Sequence, residues 1–144
     1  MRMLGLIGSA LVVAGAGGSR GRRALVTTPE AFFEGHPRAL ETFSVVREAV
    51  AERGPVDVRV TRSQVAFRAR RCYAYLWLPG RWLRNPATEL VLSIALDRRI
   101  DSPRFKEVAH AARTVWMHHL GLGSPADVDS EVVGWLREAR ERAS

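Results

Sequence analysis

From Pro37 to Arg53 the apolar residues Leu40, Phe43, Val46 and Val50 recur at three- and four-residue steps, which predicts a helix with one buried face. Gly54-Pro55 ends it. Upstream, Thr28-Pro29-Glu30 predicts a short helix. Thr can cap, Pro is pre-set for the first helical position, Glu30 faces the positive helix end, and Gly35 and Pro37 close the segment. A period of two then takes over. Val56, Val58 and Val60 alternate with Asp57, Arg59 and Thr61, and Val65, Phe67 and Ala69 alternate with Ala66, Arg68 and Arg70, so two half-buried strands joined near Arg62-Ser63 are expected. Cys72 to Leu78 is apolar on both faces and reads as a central strand closed by Pro79-Gly80, while Leu90, Leu92, Ile94 and Leu96 mark another. Thr114 to Leu120 reads as a later strand, and Phe105 to Val108 is ambiguous. Asp129 caps a last helix whose Val132, Trp135, Leu136 and Ala139 share a face.

Helices therefore flank a run of strands and do not alternate with them. A parallel βαβ sheet does not fit; an α+β two-layer sandwich does, with an antiparallel sheet of four or five strands and the N- and C-terminal helices packed on one face. The core is expected at Phe43, Val58, Phe67, Leu76, Leu92, Ile94, Trp135 and Leu136, each on the apolar stripe of its element. Residues 28–144 form one domain in this reading.

Residues 1–27 stand apart as a disordered or signal-like tail. Met3 to Gly18 is apolar and rich in Gly and Ala, followed by Ser19-Arg20-Gly21-Arg22-Arg23. The run is short and Gly-rich for a membrane span, Ala14-Gly15-Ala16 is the kind of site a secretory peptidase accepts, and a cytoplasmic protein with an irregular tail is the plainer reading. Val12 to Gly18 lacks the third glycine and the following helix of a dinucleotide loop, so no cofactor is expected. Cys72 is the only cysteine in 144 residues, which excludes an internal disulfide.

Five segments together resemble the bacterial family called domain of unknown function 5655: Thr28-Pro29-Glu30-Ala31-Phe32-Phe33; Gly54-Pro55-Val56; Thr61-Arg62-Ser63-Gln64-Val65-Ala66-Phe67; Ser102-Pro103-Arg104 with Lys106; and Asp127-Val128-Asp129 with Trp135-Leu136-Arg137-Glu138-Ala139. The resemblance spans residues 28–142 and implies a soluble bacterial protein of no established activity, with a fold akin to the small frataxin-like sandwiches. Members commonly have Lys where this chain has Arg62, and some carry an N-terminal cysteine-rich zinc module that this chain lacks.

The net charge of +7 is unevenly spread. Between Arg53 and Arg84 eight arginines face Asp57 alone, whereas the flanking stretches 28–52 and 85–144 are net acidic. Tyr73, Tyr75 and Trp77 fall on one face of their strand by strict alternation. With Arg68 they suggest a basic, aromatic sheet face that binds an anionic ligand, nucleic acid included, without catalysis. An alternative places Arg62, Ser63, Arg104, Lys106 and His118 around a pocket as a small enzyme acting on an anionic metabolite, and a third makes the aromatic face a homodimer seam. The pattern identifies no catalytic residue. His118 and His119 are neighbours in a strand and point to opposite faces, so they do not ligate one metal, and no metal site is expected.

Overall fold

A computed structural model of the chain describes residues 27–144. The expected tail, apart from its last residue, lies outside the described residues. Helix α1 (Pro29–Phe32) and helix α2 (Pro37–Ala51) lead into strands β1 (Asp57–Val60), β2 (Val65–Arg68), β3 (Cys72–Trp77), β4 (Leu90–Leu96), β5 (Phe105–Ala112) and β6 (Val115–Leu122), and helix α3 (Ser130–Ala143) follows. Thr28 and Asp129 cap as their side-chain types predict, accepting from the N–H groups of Ala31 and Val132 at 3.1 Å each.

The strands form one antiparallel sheet in the order β1-β2-β3-β4-β6-β5. The fold is thus α+β, and the sheet has six strands where four or five were expected. The additional strand is β5. Its polar run Lys106-Glu107 and two register shifts, at Phe105/Glu107 and His110/Ala112, break the alternation that identifies a strand.

One face of the sheet packs on the helices. Val65, Phe67, Ala74, Leu76, Leu92, Ile94 and Leu120 meet Ala39, Phe43, Val46 and Val50 of α2 and Val132, Trp135, Leu136 and Ala139 of α3 in a single core. All eight residues expected inside are in that cluster, Val58 at its half-buried margin. Burying each such side chain contributes roughly 1.5–3 kcal/mol, so this layer dominates stability.

Two arginines tie the layers together. Arg140 on α3 donates to Val50 O at 2.5 Å and Pro55 O at 2.6 Å, bridging the last turn of α2 and the loop that follows it. Gly54, at φ 128°, makes the turn there in a conformation that a side chain disfavours. Arg104 grips the start of α3 through Asp129, Glu131 and Asp127 O. Among the described residues no helix is long and apolar enough to cross a membrane.

Candidate functional site

The sheet face opposite the helices carries two features, a buried polar row and an arginine cluster at its margin. Register aligns Arg59, Ala66, Tyr75, Ser93, His119 and Glu107 across the strands. Within that row Trp77 Nε1, which can only donate, gives its proton to Ser93 Oγ at 2.9 Å. Ser93 Oγ is hydrogen-bonded to His119 Nδ1 at 2.7 Å, the donor set by the tautomer of the ring. The other ring nitrogen, Nε2, is buried without a partner among the described residues. Burial, and then the neighbouring His118, push the His119 pKa down to about 4. Gln64 Oε1 and Glu107 Oε1 are likewise buried and unpartnered.

The order Ser93, His119, Glu107 has the sequence of groups found in a hydrolytic triad, but not its chemistry. A triad turns Nε2 to the serine and Nδ1 to the acid. Here Nδ1 faces the serine, and the buried Glu107 Oε1 has no partner among the described residues. Ser93 is also held as an acceptor by Trp77. The row is a set of hydrogen-bonding groups pointing outward from the sheet.

The arginine cluster forms where the turn between β2 and β3 meets the end of α3. The backbone N–H groups of Arg70 and Arg71 donate to Ala143 O at 2.9 and 3.2 Å, and Arg71 Nη2 donates to Arg142 O at 3.3 Å. Arg142 Nε reaches Ala95 O at 3.4 Å. A cleft of about 270 Å³ opens beside Arg70, Arg71 and Ser144. Among the described residues Arg68, Arg70, Arg71 and Arg142 have no carboxylate within 4.0 Å, whereas Arg53, Arg59, Arg98, Arg104 and Arg137 each do. Burial, and then the adjacent Arg71 guanidinium, lower the Arg142 pKa, with Asp97 opposing them in part. The Cys72 thiol beside this cluster is pushed up by burial despite Arg68, so it is not an activated nucleophile.

These positions rearrange the residues singled out in the sequence. Tyr73 does not share a face with Tyr75 and Trp77. A bulge sets Arg68 opposite Cys72 and Phe67 opposite Ala74, and the extra residue, Tyr73, turns into the core on the helix side. Tyr75 and Trp77 do lie on the opposite face, but their rings are 7% and 0% exposed and present no platform to a base. Arg62 and Ser63 sit between β1 and β2 near one edge of the sheet, while Arg104 and Lys106 flank the start of β5 at the other, four strand spacings or about 19 Å from β2. The structure does not bring the two pairs together. His118 is a core residue: its Nδ1 donates to Trp116 O at 3.1 Å, and its Nε2 accepts from Ile100 N at 2.9 Å. His119 points the other way, as alternation requires.

The segment run from Thr28 to Ala139 that carried the resemblance falls on α1, the β1–β2 hairpin and the Arg104–α3 junction. The profile of the family described as Domain of unknown function (DUF5655) matches residues 30–141. The chain belongs to that family. No curated protein and no solved structure matches it. In this DUF5655 domain two of the segments that carried the resemblance have structural roles: Arg104 with Asp129 anchors α3, and Thr61 Oγ1 accepts from Ser63 N and Gln64 N to shape the hairpin. Ser93, the only polar residue in β4, was the available sequence signal for the buried row, since a lone hydroxyl within a strand apolar on both sides needs a partner. Among the described residues no group of three His, Cys, Asp or Glu could hold a metal in this DUF5655 domain.

Proposed function

We propose that the domain is a binding module for an anionic ligand, held at the cleft beside Arg70 and Arg71 with Arg68 and Arg142 at its margin. One observation carries this reading: Arg70 and Arg71, with no carboxylate within 4.0 Å among the described residues, line one cleft, and Arg142, equally unpaired there, is bonded through its carbonyl to Arg71. A structural explanation for the charge is the negative end of α3, yet a helix terminus presents only about half an elementary charge. The guanidiniums of Arg70, Arg71 and Arg142 together exceed what that end requires. Guanidinium groups match phosphate oxygens in a forked geometry, so a phosphate-bearing ligand suits the site best. The aromatic rings take no part, because Tyr75 and Trp77 are buried.

Calorimetric titration with inorganic pyrophosphate and with a short single-stranded oligonucleotide, each at two salt concentrations, tests the proposal. Binding should weaken as salt rises, and Arg71→Ala should reduce affinity about tenfold or more, as expected for loss of a charge-assisted hydrogen bond. Preference for the oligonucleotide would identify a polymer ligand; equal or better binding of pyrophosphate would identify a small one. A parent protein that binds neither in a salt-sensitive manner would remove the anion-binding function.

A further inference from the structure

Both long helices lie on one side of the sheet, yet the other side is no more open to solvent. Ala66, Tyr75, Trp77, Val91, Ser93, Ala95, Met117 and His119 are all 7% exposed or less. The connection between β3 and β4 accounts for part of this, since Leu83 packs on Trp77 and Val91. It does not account for the centre, where, among the described residues, Ala66, Tyr75, Ala95 and Met117 find apolar neighbours only in one another and in Cys72 and Val115, all of them on or beside the sheet. A sheet face bounded by water on one side leaves its central side chains far more accessible than this.

We propose that this face is the docking surface for residues 3–18 of the same chain. The chemistry of the two partners corresponds. Residues 3–18 contain no charged side chain and are rich in glycine and alanine, suited to lie closely over a face of Ala, Val, Met and aromatic residues. The face also holds three buried polar atoms without partners among the described residues, Gln64 Oε1, Glu107 Oε1 and His119 Nε2. Two accept, and the imidazole nitrogen accepts or donates with its tautomer, so the N–H and C=O groups of a segment crossing the sheet would complement all three.

The path of the chain allows it. Thr28 starts α1, and Arg81 donates both to Phe32 O at 3.2 Å and to Arg62 O at 2.6 Å, which fixes the entry of the chain beside the turn that follows Trp77. The arginine-bearing stretch 19–27 spans up to roughly 30 Å when extended, more than the approximately 24 Å between the outer strands of a six-stranded sheet. The proposal departs from the expectation of a disordered or signal-like tail, and the arginine cleft lies at the margin of the same face.

Photo-methionine tests it in the full chain without altering the fold, because the three methionines are Met1, Met3 and Met117, and Met117 lies in the centre of the face. Irradiation should give cross-links between Met117 and residues 3–18 within one chain, read by mass spectrometry on a mixture of isotopically light and heavy protein. Cross-links that pair light with heavy chains would assign the face to a second copy and overturn the proposal. So would an absence of cross-links between Met117 and residues 3–18. As an independent readout, Leu11→Asp in the full chain should lower the melting temperature by several degrees, and an unchanged melting temperature would count against docking.

Discussion

His118 and His119 are adjacent in sequence and opposite in circumstance. His118 has both ring nitrogens occupied inside the core, whereas His119 uses one nitrogen and leaves the other without a partner among the described residues. Burial lowers the pKa of both, for His119 from 6.5 to about 4. Between those two values the unfolded chain binds a proton that the native ring refuses, so stability should be constant above about pH 6.5 and fall as the pH drops toward 4. For His119 alone the loss is on the order of 3 kcal/mol across that window. Asp129 and Glu138, held charged by Arg104 and Arg98, lose their contribution only at lower pH, so the two effects separate. Urea unfolding at pH 8, 6.5, 5.5 and 4.5 should show the decline beginning near 6.5, and His119→Gln should flatten it. Equal stability of the parent protein at 7 and 4.5 would mean that these rings are not buried in their neutral form.

The helices and strands differ in how openly their roles are written in the sequence. Caps, apolar stripes and the alternation of β1, β2 and β4 are local, and the predicted elements appear where those patterns stand. β5 was obscured because an edge strand with two bulges does not alternate, and the orientation of Tyr73 because one extra residue between Arg68 and Ala74 reverses parity. The charge between Arg53 and Arg84 was visible, but its convergence with Arg142 was not, since contacts between residues 71 positions apart leave no mark in a single sequence. Arg140 is the clearest case. It reads as one of several basic residues late in α3, where the macrodipole alone explains it, yet it closes the corner from α2 to β1 through Val50 O and Pro55 O. Arg140→Met should therefore destabilise the protein by roughly 1.5–3 kcal/mol, the usual effect of a lost hydrogen bond to a charged group. Arg140→Lys should restore only part of it, because an ammonium cannot fork between two carbonyls as a guanidinium does. A Met variant as stable as the parent in urea unfolding would show that water satisfies those carbonyls equally well.

The sheet is unequal from centre to edge, and that gradient governs how the domain opens. β4 is buried at all seven positions and is flanked by β3 and β6, while β1 at one margin is four residues long and alternates exposed with half-buried. At the other margin the last residues of β5, His110 to Ala112, are exposed beyond a register shift. Short length at one edge, and Lys106 with two bulges at the other, are also what hinders edge-to-edge pairing between copies of a sheet. Opening of either margin should expose little apolar surface, whereas opening of β4 requires the core between sheet and helices to come apart. Native-state hydrogen exchange should accordingly place the amides of β3, β4 and β6 at the free energy of global unfolding and those of β1 and the end of β5 several kcal/mol lower. Uniform protection across all six strands would mean that the margins are held by contacts other than the ladder, and such contacts would then have to be sought on the face opposite the helices.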